Sequence, residues 1–268
     1  MSDTTSQILI DAAKAYEALF VPALFGQWAA KVADAAQIQP GQRVLDVACG
    51  TGILGREITS RVGTSGHVAG VDPNPGMIAV AKQLAPDVEW REGTAESLPF
   101  ADGSFDAVVS QFGLMFFTDR CQALDEMLRV LKPGGYMAIA VWDALDKLPA
   151  YASEVALLEQ IAGQHAADAL RAPFVIGDQR VLSTLFADCG IASTKITTHH
   201  GVAQFPSIRT MVEADLRGWL PVMGVFLTEQ EIDRILSEAD QVLRDYTTAD
   251  GRVMFQLSAH IAAVKKPQ

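Results

Sequence analysis

The chain has 268 residues, 49% of them hydrophobic, and a formal net charge of −11. No apolar run reaches the roughly 20 residues of a membrane-spanning helix, and so acidic a surface repels nucleic acid, which excludes both classes of protein. The first residues lack the basic and then apolar pattern of a signal peptide. The three cysteines are far apart and have no metal-ligand spacing. These features predict a cytoplasmic protein in a reducing compartment.

The predicted elements begin with two helices over the first 35 residues, where apolar residues recur every three or four positions. Beyond residue 40, short apolar runs alternate with helical segments. The runs predict five strands, at 43–47, 67–71, 88–91, 106–110 and 136–141. The run Lys132-Pro133-Gly134-Gly135 is predicted to separate the last of the intervening helices from the fifth strand. Strands and helices alternating at this spacing predict a parallel sheet.

The second half of the chain has a mixed pattern. Helices are predicted at about 149–168, 178–188, 207–219 and 229–246, and strands at about 194–199 and 253–264. Thr228 and Glu231 have the spacing of a capping box. The last two strands are predicted to pair as a hairpin, with the intervening helices forming a cap over one end of the sheet.

The loop after the first strand raises the question of its ligand. Gly50-Thr51-Gly52-Ile53-Leu54-Gly55 matches the G-x-G-x-x-G pattern of dinucleotide-binding loops. Asp46, in the strand before it, would repel a phosphate but attract an ammonium or sulfonium group. Asp72, at the end of the second strand, can accept hydrogen bonds from ribose hydroxyls, as it would with any adenosine ligand. The two aspartates together favour a cationic, amino-acid-bearing adenosine ligand over NAD.

Four segments, in order and at family spacing, carry a resemblance to a known family. They are VLDVACGTG (44–52), GVDPNPGMI (70–78), EGTAESLPFADGSFDAVVS (92–110) and LRVLKPGGYMAIA (128–140). Over about 40–142 the chain resembles the class I S-adenosylmethionine-dependent methyltransferases, especially the branch with the ubiquinone/menaquinone C-methyltransferases. YEALFVPALFGQWA (16–29) resembles the entry helices of that branch more weakly. The resemblance implies a Rossmann-like fold, S-adenosylmethionine as cofactor, and in-line methyl transfer to a small, partly hydrophobic molecule.

The resemblance also implies which residues form the site. The cofactor-binding residues are Tyr16, Asp46, Ala48, Gly50, Thr51, Gly52, Asp72, Pro73, Met77, Thr94, Ala95 and Gln111. The substrate-pocket residues are Phe20, Trp28, Phe112, Phe116, Trp142, Phe174 and Trp219. Thr94 departs from the family pattern, because many relatives have an aspartate there. Gly55 is expected to serve helix packing. No histidine stands out as a base, so no catalytic residue and no metal ligand is assigned.

We expect the chain to be a single methyltransferase domain over 1–268, with N-terminal entry helices (1–36), a cofactor-binding core (37–145) and a C-terminal half that includes the cap (146–268). The expected partner is a small-molecule methyl acceptor, with a homodimer as the candidate assembly. The [DN]-P-P-[YFW] signature of methyltransferases acting on nucleobase or glutamine amino groups is absent after the fourth strand. Two alternatives stay open: a non-catalytic S-adenosylmethionine-binding sensor or partner subunit and, more distantly, an NAD-dependent oxidoreductase.

Overall fold

A computed structural model describes residues 3–268, with side chains from residue 6 onward. Its centre is a seven-stranded sheet with the order β3-β2-β1-β4-β5-β7-β6. The strands are β1 (Arg43–Val47), β2 (His67–Asp72), β3 (Glu89–Glu92), β4 (Phe105–Gln111), β5 (Leu131–Trp142), β6 (Thr194–Phe205) and β7 (Val253–Lys265). The first five pair in parallel, and β7 lies antiparallel between β5 and β6. The predicted α/β fold, Rossmann-like and mostly parallel with an antiparallel C-terminal strand, is confirmed.

Helices flank this sheet. They are α1 (Asp3–Phe20), α2 (Ala29–Ala35), α3 (Ile53–Val62), α4 (Pro75–Leu84), α5 (Arg120–Val130), α6 (Pro149–Ala162), α7 (Gln164–Arg171), α8 (Gln179–Asp188), α9 (Ile208–Ala214), α10 (Leu220–Val222) and α11 (Glu229–Val242). Short 3-10 turns lie at Gly26–Trp28, Leu114–Phe116, Leu145–Lys147, Ala172–Phe174 and Arg244–Tyr246. Two π-helical turns lie at Val21–Phe25, before α2, and at Asp215–Trp219, after α9. Thr228 and Glu231 form the predicted capping box at the start of α11.

Several predicted boundaries differ from the structure. The run 132–135 lies inside β5, which already begins at Leu131. The pairing of β5 with β4 is irregular there, because Leu131 pairs with Phe105 and the next paired residue is Tyr136. The helix predicted over 149–168 is two helices, since Gly163 takes φ +84° between them. The helix predicted over 207–219 changes to a π-helical turn at Asp215. The helix predicted to reach 246 ends at Val242, and β6 continues to Phe205 rather than stopping at 199.

The outer strand β6 is joined to the N-terminal segment. Gln27 receives a hydrogen bond from the Val202 amide and donates one to the Val202 carbonyl, each at 2.9 Å. These two bonds resemble those that a residue of a further strand would make, so they satisfy the Val202 backbone groups at the edge of the sheet. The N-terminal residues are therefore fixed against the C-terminal hairpin.

Two of the three cysteines are bonded to each other, although they are far apart in the chain. Cys121, in α5, and Cys189, after α8, form a disulfide, whereas Cys49 is a buried free thiol. The structure thus contains an oxidised cysteine pair, whereas the sequence predicts a reducing compartment. Among residues 3–268 no helix has the length and apolar character needed to span a membrane.

Candidate cofactor and acceptor site

Polar side chains collect at the carboxyl ends of the adjacent strands β1 and β4. Asp46 and Ser110 are completely buried, and Gln111 is half-buried. Both carboxylate oxygens of Asp46, the Ser110 hydroxyl and the Gln111 Oε1 lack a hydrogen-bond partner among the described residues. Buried polar groups are almost always paired, so four such atoms at one place indicate a site for a polar ligand. Burial, more than any other factor, raises the pKa of Asp46 well above its ordinary value.

Asp72 connects the second strand to the glycine loop. Its Oδ2 accepts a hydrogen bond from the Gly50 amide and its Oδ1 accepts one from the Asn74 amide, both at 2.9 Å. Asn74, rather than Asp72, caps α4 by accepting from the amides of Gly76 and Met77. Each Asp72 oxygen keeps a second lone pair, so the carboxylate can still receive a ribose hydroxyl. Burial raises the pKa of Asp72 as well.

The loops after β1 and β4 have unusual backbone geometry. Ala48 and Phe112 take left-handed conformations, with φ of 57° and 58°. Side chains rarely adopt this region, and residues held there tend to cluster at functional sites. Gly113 permits the two loops to touch, because a Cβ on it would lie 2.6 Å from the Cβ of Ala48. The strained turns therefore bring both strand ends to one small volume.

The third glycine of the G-x-G-x-x-G pattern faces away from this volume. A Cβ on Gly55 would lie 2.5 Å from Cη2 of Trp90, and one on Gly52 would lie 2.6 Å from the same atom. The Trp90 indole, anchored by its 2.8 Å bond to the Ala85 carbonyl, fills the space beneath the loop. Gly55 thus serves packing, as expected. Gly52 and Gly55 give the loop its dinucleotide-like pattern because the Trp90 ring leaves no room for a Cβ at either position.

Helix α1 lies over the glycine loop. Glu17 accepts hydrogen bonds from the Thr51 hydroxyl at 2.5 Å and from Arg56 Nη2 at 2.6 Å. Gly76 of α4 allows close approach, since a Cβ there would lie 2.3 Å from the Leu9 carbonyl oxygen. We call the Glu17–Thr51–Arg56 group the latch. It joins α1 to the glycine loop, and Thr51 within it is almost completely buried.

The other predicted cofactor residues lie around this centre with different exposure. Ala95 is buried and Met77 is half-buried, whereas Pro73 and Thr94 are exposed. Gln111 donates a 3.1 Å bond to the Phe25 carbonyl and so connects β4 to the N-terminal segment. Tyr16 is half-buried, and burial followed by the charges of Asp72 and Glu17 raises its pKa. Tyr16 therefore lies between Asp72 and the aromatic cavity, which it helps to line.

An aromatic cavity of about 90 Å³ adjoins the strand ends. Six of the seven predicted pocket residues line it, together with one charged side chain, Asp215. The six are Phe20, Phe112, Phe116, Trp142, Phe174 and Trp219, and further lining residues are Tyr16, Leu24, Phe25, Tyr151, Leu170 and Pro173. Phe112 and Trp142 stack with centroids 3.9 Å apart. Trp28 is completely buried behind them in edge contact with both rings, so it supports the wall without lining the cavity.

Comparisons with known proteins agree with this geometry. Residues 45–139 match the family model described as "Methyltransferase domain". The chain is similar to a demethylmenaquinone methyltransferase of Desulfitobacterium hafniense, with 31% identity over 203 residues that cover 68% of this chain and 80% of that protein. The chain belongs to the class I S-adenosylmethionine-dependent methyltransferases.

Other comparisons show how far the family likeness extends. A demethylmenaquinone methyltransferase of Renibacterium salmoninarum is 46% identical over 114 residues, which cover 42% of this chain and 47% of that protein. The chain spans about half the length of the first curated relatives it matches. The solved structure of the YcgJ protein of Bacillus subtilis has the same fold, with a TM-score of 0.60 at 20% identity over 90% of this chain and 99% of that one.

The cofactor of this methyltransferase family, S-adenosylmethionine, fits the residues at the strand ends. Its ammonium and sulfonium would supply the positive charge and donors that the unpaired Asp46 carboxylate lacks. Asp72 and the open backbone at Gly50, where even an added Cβ would meet no atom within 4 Å, leave room for a ribose. Sequence reasoning missed Ser110, Glu17 and Asp215. Ser110 could have been found from its position beside Gln111, but Glu17 and Asp215 have no sequence motif.

Proposed function

We propose that the chain transfers the methyl group of S-adenosylmethionine to a small, partly hydrophobic acceptor by in-line displacement. The observation that supports this most directly is that a polar site and an apolar cavity adjoin each other. The unpaired polar atoms of Asp46, Ser110 and Gln111 lie at the strand ends, and the next residue, Phe112, lines the aromatic cavity. A cationic cofactor and an apolar acceptor would therefore meet at the end of β4.

The bound cofactor supplies a methyl carbon already activated by the sulfonium. We assign Asp46 to hold its ammonium, Asp72 its ribose, and Ala95 and Met77 its adenine, with Tyr16 covering the junction. The rings of Phe25, Phe112 and Trp142 exclude water and hold the acceptor in line, which is the main requirement of this reaction.

The class of acceptor follows from the cavity wall. Rings dominate the lining, with a single carboxylate among the described lining residues, so an apolar ring compound with one polar group fits best. The curated relatives are named for demethylmenaquinone, so its reduced form, a quinol that carries hydroxyl groups, is the first acceptor to assay. We further propose that the whole of 1–268 is one domain, since β6 and β7 complete the sheet begun by β1.

Calorimetry with S-adenosylhomocysteine and with NADH tests the proposal. We expect S-adenosylhomocysteine alone to bind, with an Asp72→Asn variant about 10- to 100-fold weaker because a charged hydrogen bond is lost. Asp87→Asn, at an exposed aspartate, is the matched control. Binding of NADH alone would favour the oxidoreductase. Binding of S-adenosylhomocysteine without transfer of labelled methyl to any acceptor of a broad panel would favour the sensor.

The proposed setting is the cytoplasm, and the proposed assembly is a homodimer. Light scattering of the purified chain measures the assembly directly. A mass of one chain at every accessible concentration would rule out the dimer. The disulfide state in cell extracts, measured with thiol-alkylating reagents, tests the setting.

A further inference from the structure

Two buried carboxyl groups lie together beside the aromatic cavity. Glu154 is in the middle of α6, and Asp215 is the first residue of the second π-helical turn. Glu154 is completely buried and Asp215 is 4% exposed. Among the described residues no donor reaches either Glu154 oxygen or the Asp215 Oδ2, and neither group has a cationic partner within 4.0 Å. This pair is absent from the sequence motifs of the family resemblance.

Two like charges in an apolar place cannot both be ionised, so the pair shares a proton. Burial followed by the charge of Asp215 raises the pKa of Glu154 well above its ordinary value, and burial raises the pKa of Asp215 to about 8. Tyr151 on α6 also faces the pair, whose charges raise its pKa further after burial. A hydrogen bond from Glu154 to Asp215 raises the pKa of Glu154 and lowers that of Asp215, so Glu154 is the donor of the pair.

No other charge reaches the pair from the described elements that surround it. On α11, which packs on α6, the charged side chains are exposed or half-buried, and Arg234 pairs with Glu238. The other charged residues of α7, α9 and the π-helical turn are likewise exposed or half-buried and form ion pairs on the surface. They are Arg171 with Asp168 and Glu159, and Arg217 with Glu213 and Glu229. Asp215 thus takes its properties from Glu154, Tyr151 and the cavity alone.

The two carboxyls differ in what they face. Asp215 lines the cavity, whereas Glu154 lies behind it. A further polar atom nearby, Trp219 Nε1, is already used in a 2.9 Å bond to the Ala169 carbonyl. An unpaired carboxyl oxygen at the wall of an apolar cavity is costly unless a ligand supplies a donor.

The backbone supports the same assignment. Both π-helical turns of the described chain contribute cavity wall: Leu24 and Phe25 on one side, Asp215 and Trp219 on the other. Such turns are rare and occur often at functional sites. The turn at 215–219 places Asp215 and Trp219 on the same cavity.

We propose that Asp215, positioned and held by Glu154, binds the hydroxyl or amine hydrogen of the methyl acceptor and removes it. This inference rests on the proposed function and adds the base that the sequence does not reveal. The acceptor's O–H or N–H bond breaks and its proton joins Asp215 Oδ2, while the electron pair stays on the acceptor atom. That pair forms the new bond to the methyl carbon, the carbon–sulfur pair stays on sulfur, and the proton leaves Asp215 for solvent with the product.

The test uses the full chain saturated with S-adenosylhomocysteine and two ring-sized probes. 4-Methylphenol represents a hydroxyl acceptor and benzylamine an amine acceptor, and binding of each is measured by calorimetry. We expect one of them to bind the wild-type chain and to bind Asp215→Asn at least about tenfold more weakly, because a hydrogen bond to a charged group is lost. Asp240→Asn, at an exposed aspartate on α11, is the control. The probe that binds shows whether Asp215 receives a hydroxyl or an amine group of the acceptor.

The pH midpoint of probe binding supplies a readout that a merely structural role would not change. Glu154→Leu removes the hydrogen bond that favours the ionised form of Asp215, so the midpoint should rise, whereas Glu154→Gln keeps a donor and should keep the wild-type midpoint. Equal probe affinity of Asp215→Asn and wild type, an unchanged midpoint in Glu154→Leu, or no binding of either probe while S-adenosylhomocysteine binds would overturn the inference. Failure of S-adenosylhomocysteine itself to bind wild type would instead refute the proposed function.

Discussion

Asp46 has the two properties that distinguish a binding residue from a structural one: it is buried, and it has no partner among the described residues. We predict that Asp46→Asn weakens S-adenosylhomocysteine binding about 10- to 100-fold, because a charge-assisted hydrogen bond is lost. The same substitution should stabilise the ligand-free chain at pH 8 by about 1–3 kcal/mol, because it removes an unpaired buried carboxylate. Calorimetry and thermal unfolding measure the two effects.

The sign of the stability effect follows from linkage. The pKa of Asp46 is higher in the folded chain than in the unfolded one. Wild-type stability therefore falls as pH rises from the unfolded value towards the folded value, whereas asparagine does not titrate. The advantage of Asp46→Asn should grow across that range. Weaker binding with a loss of stability at every pH would show that Asp46 only holds the fold together.

Cofactor binding should release a proton. Burial favours the protonated form of Asp46 in the empty site, and the positive charge of a bound ligand favours its ionised form. Affinity for S-adenosylhomocysteine should therefore rise with pH below the raised pKa of Asp46. Calorimetry in phosphate and in Tris at one pH gives the number of protons released, and this number should fall in Asp46→Asn. Equal binding heats in the two buffers would contradict the assignment.

At this scale, the sequence predicted the residues that a motif fixes and missed those that only the fold brings together. Asp46, Asp72 and Gly50 occupy set positions around one turn, so their chemistry can be read from their spacing. Asp215 and Glu154 lie on helices with an ordinary apolar pattern, and they meet only when α6 and the π-helical turn pack on the same cavity. Trp28 shows the opposite error, since an aromatic residue in a helical stripe can line a pocket or support its wall.

At the scale of elements, α1 is fastened over the strand ends. The latch of Glu17, Thr51 and Arg56 joins this helix to the glycine loop. We predict that Glu17→Gln increases both the association and the dissociation rate of S-adenosylhomocysteine by about fivefold. The partly exposed ion pair contributes on the order of 1 kcal/mol to the closed position. Stopped-flow fluorescence measures both rates.

A matched control separates the latch from a general effect of charge. Glu57 on α3 forms an ion pair with Arg61 of the same helix. Glu57→Gln removes the same charge and should leave both rates unchanged. Rates equal to wild type in Glu17→Gln would show that α1 does not move when the cofactor exchanges.

Elements were predictable where one periodic pattern dominated. The strands β1 to β4 and helix α3 follow strong alternation between short apolar runs and amphipathic segments. The start of β5 was not predictable, because the Pro-Gly-Gly run has the composition of a loop. It has no partner in β4, and backbone bonds between its glycines and Lys266 hold it at the edge of the strand. The π-helical turns leave no periodic signal, since they add a single residue to an otherwise helical pattern.

For the whole molecule, the disulfide joins α5 of the first half to the end of α8 in the second. We predict that its loss costs roughly 2–4 kcal/mol of unfolding free energy, because the bond closes a long loop in the unfolded chain. Cys121→Ser, Cys189→Ser and the double variant should all lose the same amount, as should reduced wild type. Guanidinium unfolding with and without a reducing agent measures this, and additive losses in the double variant would show that the bond does not form.

The strand order has a consequence for how the molecule is made. Strand β7 lies between β5 and β6, so β6 has no place in the sheet until β7 has been synthesised. The helices that follow β5, which carry Glu154 and Asp215, cannot be joined to β6 in the sheet before β7 is made, whereas β1 to β5 can already pair on the ribosome. The nascent chain therefore exposes the apolar edge of β5 for the time needed to translate the entire cap, and this interval is where aggregation or chaperone capture would act.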